Sequence, residues 1–383
     1  MTPLAGEAIF VTLAGSHAHG TAQPGSDVDV RGVCIAPLRI RVSLFHDFEQ
    51  FEGPLPSPLA EEVDARIAAH PTAAAGLLVK TEAVVFDLAK LLALAANANP
   101  NALEILFADE RDWLVATPAW RRIHEERARF LSKKVEQTYL GYAMAQLRKI
   151  RSHREWLLHP PESRPSRSAF GLPDASPLGR DDQNRIEQLI SERVRSYGIG
   201  DLELPKPTRI AVEARLRTIL TDALSLGDDA LDDRLREVAT SSLQLPGKVI
   251  DTLEAEKRYR IAVRQWEAYE TWKRERNPAR AKLEQAHGYD TKHAMHLLRL
   301  MQTGLELLET GVLHVRRPNA AELVAVRNGS LSYDELLEHA TALEQRMRAA
   351  AQSSTLPRDV DFEAIDGLAF EVIERASRAD GGA

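Results

Sequence analysis

The 383-residue chain predicts an α+β protein, a mixed sheet with helices followed by a mainly α-helical region. Three observations carry that expectation. Apolar and β-branched runs punctuated by glycine open the chain at residues 8–13 and 28–35, and a further run lies at 83–88. Beyond Leu88 the apolar spacing changes to the threes and fours of a helix, most plainly over 137–158, 259–276 and 292–308. A content of 44% hydrophobic and 27% charged residues is that of an ordinary globular protein with a core to bury.

Taken in order, the first strand runs into Gly15-Ser16, and Gly20 and Pro24-Gly25-Ser26 punctuate the link to the second. Residues 45–75 are mixed, with Gly53-Pro54 and Pro56-Ser57-Pro58 as loop signals. The helical spacing that starts at Leu88 stops near Asn97, and Pro100 is placed to open the next helix. These signals put an α/β domain at 1–115 and a helical domain at 116–378, with a tail at 379–383 expected to be disordered. Residues 159–177 hold five prolines and read as a long irregular loop inside the helical part.

Composition narrows the class. No stretch approaches the roughly 18 apolar residues that span a bilayer, and no secretory signal opens the sequence, so a cytoplasmic protein without a membrane partner is expected. Cys34 is the one cysteine, which excludes an intrachain disulfide and a cysteine-rich zinc site. Its place in an apolar run suits a small buried hydrophobe. The formal net charge of -7 argues against coating nucleic acid by bulk positive charge, though not against a local basic groove. Such a groove has a candidate in 257–299, where eleven Lys or Arg face five Asp or Glu. Tyr259, Trp266, Tyr269 and Trp272 are interleaved there, and they either stack bases or form the buried stripe of an amphipathic helix.

The chemistry concentrates near the N-terminus. Asp27 and Asp29 lie two apart on a predicted strand, which places both carboxylates on one face. Oxygen ligands of this kind suit a hard cation such as magnesium or manganese. Glu82, at the head of the run 83–88, is the best candidate for a third carboxylate on a neighbouring strand. Gly15 and Ser16, at a strand-to-helix junction, offer backbone N–H groups and a hydroxyl to a phosphate tail. Arg31 either reaches a phosphate or pairs with Asp29 or Asp27. Farther on, Lys292, His296 and Arg299 fall at i, i+4 and i+7 and share one polar helix face, either solvated or turned to phosphates. Lys133 is a lesser candidate for the same task. Asn99 and Glu104 are expected to cap and brace a helix.

The ordered set Gly15-Ser16-His17-Ala18-His19-Gly20 and Ser26-Asp27-Val28-Asp29-Val30-Arg31-Gly32 resembles the RNA-ligase-associated branch of the DNA polymerase beta superfamily of nucleotidyltransferases. Asn99-Pro100 with Glu104, Gly141-Tyr142 with Gln146, and Lys292, His296 and Arg299 extend the resemblance. His19 stands where relatives often have Tyr, and Glu82 where they have Asp. The resemblance implies a polymerase beta-type catalytic domain over 1–115 and a helical domain closing its cleft. It implies magnesium (or manganese) held by Asp27, Asp29 and Glu82, and a nucleoside triphosphate, ATP among the candidates, held by Gly15, Ser16, Arg31, Lys292, His296 and Arg299. The acceptor it implies is a hydroxyl on RNA, at an end under repair or on tRNA. Transfer to a protein or a small molecule, or a nucleotide-binding module without catalysis, are the alternatives; oligomeric state is left open.

Overall fold

The computed structural model describes residues 4, 6–74, 81–173, 180–199, 206–224 and 247–380. They form two compact units, Met1–Leu158 with Pro278–Ala383, and His159–Asn277. The first holds a five-stranded sheet in the order β3-β4-β2-β1-β5. Its strands are β1 (Ala8–Ala14), β2 (Val28–Cys34), β3 (Gln50–Gly53), β4 (Thr81–Asp87) and β5 (Trp113–Ala116). β2 and β4 run parallel and every other pair antiparallel, so the sheet is mixed as expected.

Both faces of this sheet are covered, which is why β1 is apolar except for the buried Thr12 instead of alternating. Phe10 faces one layer and stacks on Trp120 at 3.9 Å. Val11, Leu13, Val28 and Val30 face the other, where they meet Val63 and Ile67 of α3 (Leu59–Ala69). Cys34 is fully buried, and burial pushes its thiol up to about 12, as befits an inert core residue.

Short helices follow the strands: α1 (Gly15–His19) after β1, α2 (Leu38–Arg41) after β2, and α4 (Leu88–Ala96) after β4. α5 (Pro100–Leu106) starts at the expected proline, and the Asn99 carboxamide oxygen caps it, accepting from the Asn101 and Ala102 N–H groups at 3.0 and 3.3 Å. After α6 (Pro118–Glu125) comes the long α7 (Val135–Leu158).

The second unit contains α8 (Arg180–Ser196), α9 (Lys206–Leu224) and α10 (Gly247–Glu275). Tyr269 is buried there, and arginines cover its aromatic neighbours: Arg167 lies 5.2 Å from the Tyr259 ring and Arg276 4.4 Å from Trp272. Packing within the unit thus engages the aromatic stripe. In the expected loop, 159–166 is irregular and Arg167–Phe170 forms a single tight turn, while 174–177 fall outside the described residues.

The chain then rejoins the first unit with α11 (Pro278–His287), α12 (Thr291–Thr310), α13 (Ala320–Arg327), α14 (Tyr333–Ser353) and α15 (Phe362–Asp380). α15 continues through Ala379 and Asp380, two residues expected in the tail; 381–383 lie outside the described residues. α12 is buried on almost every side, by Ala294, Leu297, Leu298 and Met301 among others. Gly304 lets it approach α7, since a Cβ there would stand 2.9 Å from the Tyr139 Cβ. This contact explains why compactness joins residues on both sides of 115: strands give way to helices near there, but the later helices share one core with the sheet.

Candidate active site

The site lies at one end of β1, β2 and β4. Asp29 sits opposite Ala14 on one side and Glu82 on the other, where parallel pairing places Asp29 and Glu82 directly in register. Asp27 falls one residue before β2, so it belongs to the incoming loop and not to the strand as the sequence suggested. Asp29 and Arg31 alternate with the buried Val28 and Val30, which turns the functional pair away from α3.

Gly15 closes the site from β1. Its φ of 57° is left-handed, and a Cβ at this position would meet the Asp29 Oδ2 at 2.2 Å. Only glycine allows the backbone this close to the carboxylate. α1 is pinned from behind by the segment before α13. Arg316 donates from Nη2 to the His17 carbonyl at 3.2 Å, and the Arg317 N–H donates to the His19 carbonyl at 3.1 Å. Arg316 is itself held by the fully buried Asp112 at 2.8 Å, which also pairs with His70 at 3.2 Å.

The electrostatics identify the groups that face one another. Burial raises the Asp29 carboxyl above its ordinary value, with the repulsion of Asp27 and Glu82 adding to it, against the pull of Arg31 and Lys292. Arg31 pairs with Asp29 at 3.6 Å, one of the roles its place in the sequence offered, and also lines a cavity beside the carboxylates. The three carboxylates are near enough to act on one another but do not converge into a closed ligand set. Among the described residues the group with ligand atoms all within 4.8 Å is His153, Asp290 and His293. There the Arg280 guanidinium already bonds the same Asp290 oxygen that takes His153 at 2.9 Å, so a cation fills the position a metal would need. The Asp27, Asp29 and Glu82 set, all oxygen donors, fits a hard divalent ion better.

A cavity of about 180 Å³ adjoins the carboxylates and is lined by Gly15, His19, Arg31, Glu104, His296 and Arg299 among others. Four of the sequence-selected residues, Gly15, Arg31, His296 and Arg299, thus meet in one place although 284 positions separate the first from the last (299 − 15). Two do not have the character expected of them. Arg299 is buried and its charge is met by Glu104, whose other oxygen pairs with His19 at 3.0 Å. Burial, with the charge of Arg299 next, pushes the His296 imidazole far below its ordinary value, so it is neutral at pH 7. The basic face therefore reduces to Lys292, which has no salt-bridge partner among the described residues and acts on Asp29. Glu104 does brace, but it ties α5 to α1 and α12 instead of stabilising its own helix. Lys133 lies just before α7, its N–H on the Pro357 carbonyl, and does not line the cavity.

Arg327 was missed from the sequence. It closes α13, donates from Nη1 to the Thr21 carbonyl at 3.4 Å, and faces Asp27 across the loop that leaves α1. Nothing in its local sequence marks it, because a basic residue in the last turn of a helix is ordinary.

This mixed sheet, with a Gly-Ser turn set against carboxylates on neighbouring strands, is the arrangement expected from the resemblance to polymerase beta-type nucleotidyltransferases. Residues 6–158 match the family model described as RlaP, the RNA repair pathway DNA polymerase beta family. The family's name places it among polymerase beta-like nucleotidyltransferases of an RNA repair pathway. No curated protein and no solved structure matches the chain. No helix among the described residues is long and apolar enough to cross a membrane.

Proposed function

We propose that the protein transfers a nucleoside monophosphate from a nucleoside triphosphate to a hydroxyl at an RNA end. The observation that carries this reading is the in-register pair Asp29 and Glu82, with Gly15 pressed against Asp29 and Asp27 beside them. Asp27, Asp29 and Glu82 are the residues to hold magnesium or manganese, which when bound neutralises charge on the reacting phosphate oxygens.

The chain's own groups do the rest. Gly15 and Ser16 let the backbone approach the triphosphate, and Lys292 and Arg327 supply positive charge on the helical side. The cavity, smaller than the roughly 300 Å³ of a typical ligand pocket, takes one part of the nucleotide and leaves the rest over the open carboxylates. Neutral His296 and the Glu104-held Arg299 offer fixed hydrogen-bond donors on its wall. The acceptor oxygen attacks the α-phosphorus, the bond from that phosphorus to the pyrophosphate oxygen breaks, and Glu82 takes the hydroxyl proton.

The test is incubation of the protein and magnesium with each of the four nucleoside triphosphates labelled at the α-phosphate, offered RNA, protein or no acceptor. Label on RNA supports the reading. Label on protein alone would replace the acceptor while keeping the chemistry, and no incorporation under any condition would overturn both.

A further inference from the structure

We infer that the neighbouring faces of α7 and α12 form a track for single-stranded RNA that leads one of its ends to the carboxylates. This rests on the transferase reading and names the surface its acceptor would use. On α7, Lys149, His153 and Trp156 fall at i, i+4 and i+7 and share one face. On α12, Lys292, His293 and His296 occupy adjoining turns.

The two sets meet. Ring centroids are 6.4 Å apart for His296 and His293, 5.5 Å for His293 and His153, and 5.4 Å for the stacked His153 and Trp156. The series begins at the cavity, which His296 lines, and beside Lys292, which acts on Asp29. Lys149 is exposed, has no salt-bridge partner among the described residues, and is close enough to act on His293.

His153 and His293 are mostly buried, 14% and 17% exposed, so they seat Trp156; the Trp156 ring offers the surface for a base, and Lys149 and Lys292 the charges for phosphates, that an unpaired strand requires. Burial holds His293 down at about 4 and His296 lower still, so both rings are neutral and the lysines carry the charge. The acidic groups here are already matched. Asp290 is fully buried on His153 and Arg280, and Glu284 pairs with Arg280 at 3.1 Å. On α7, Glu155 is one carboxylate among Arg148, Lys149, Arg151 and Arg154. The local charge thus favours a polyanion although the chain as a whole is acidic.

The experiment is fluorescence anisotropy of a labelled single-stranded RNA of about twelve nucleotides with the full chain, without nucleotide or divalent ion, at about 50 and 200 mM salt. Lys149→Glu should weaken binding about tenfold and lower the salt slope, Lys149→Arg should restore it, and Lys133→Glu at the far end of α7 should leave it unchanged. Binding that Lys149→Glu leaves intact, an equal loss with Lys133→Glu, or no RNA binding at all would overturn the track. Because no transfer is read, an inactive enzyme still tests it. Conversely, a transferase that labels RNA without using Lys149 leaves the chemistry standing.

Discussion

Two carboxylates flank the same short helix and are built in opposite ways. Asp29, at the open end of the sheet, is raised above its ordinary value by burial and by two neighbouring carboxylates. Glu104, behind α1, is pushed up by burial too, but Arg299 and His19 outweigh that and hold it well below the usual carboxylate range. One charge is left partly uncompensated, while the other is locked between cations. The difference separates a site poised for a further cation from a brace that keeps the site in place.

The largest effect expected is on activity. Asp29→Asn should lower nucleotidyl transfer about 10³-fold, the loss of several kcal/mol of charge stabilisation, with circular dichroism unchanged. Wild-type rates in that variant would remove Asp29 from the site. Next, Glu104→Gln should cost about 3 kcal/mol in chemical denaturation, because it strands the buried Arg299 charge. Asn99→Ala, on the same α5 but removing only its cap, should cost about 1 kcal/mol, so the two together separate ion pairing from helix propensity.

A smaller effect of opposite sign sharpens the contrast. Measured without divalent ions at pH 7, Asp29→Asn should raise the melting temperature by about 2 °C, as a gain near 1 kcal/mol would. The sign follows from linkage. A carboxyl whose folded pKa is raised stabilises the fold when protonated and loses that contribution as pH rises through the folded value. Glu104 is the reverse, its contribution present above the ordinary carboxylate value and lost as pH falls toward its depressed one. In the metal-free protein the Asp29 carboxyl should accordingly titrate above the ordinary aspartate value near 3.9 when followed by NMR. Titration at or below that value would contradict its burial and the repulsion from Asp27 and Glu82.

Much of the site was legible because its parts are local. Gly15-Ser16 and Asp27-Val28-Asp29 lie within fifteen residues, and strand periodicity alone orients Asp29. Glu82 was readable as the head of a strand, although its register with Asp29 was not. Arg299 and His296 line the cavity, but the basic face read from their spacing does not hold, because burial and a distant Glu104 set their state. Asp112 with His70 and Arg316, and Arg327, gave no signal, since each acts only through partners far away in the chain.

The sequence by itself determined the class of fold, the strands β1, β2 and β4, and the placing of Asp27 and Asp29 at the head of the second, for these depend on periodicity, turn residues and spacing. Only the tertiary structure decided which charges stay free. Pairing β2 with β4 set Glu82 beside Asp29, and burying α12 paired Arg299 with Glu104 and left His296 uncharged, while Lys292 faces the site. Local pattern fixes where a side chain points; the field it experiences comes from whatever the rest of the fold packs around it.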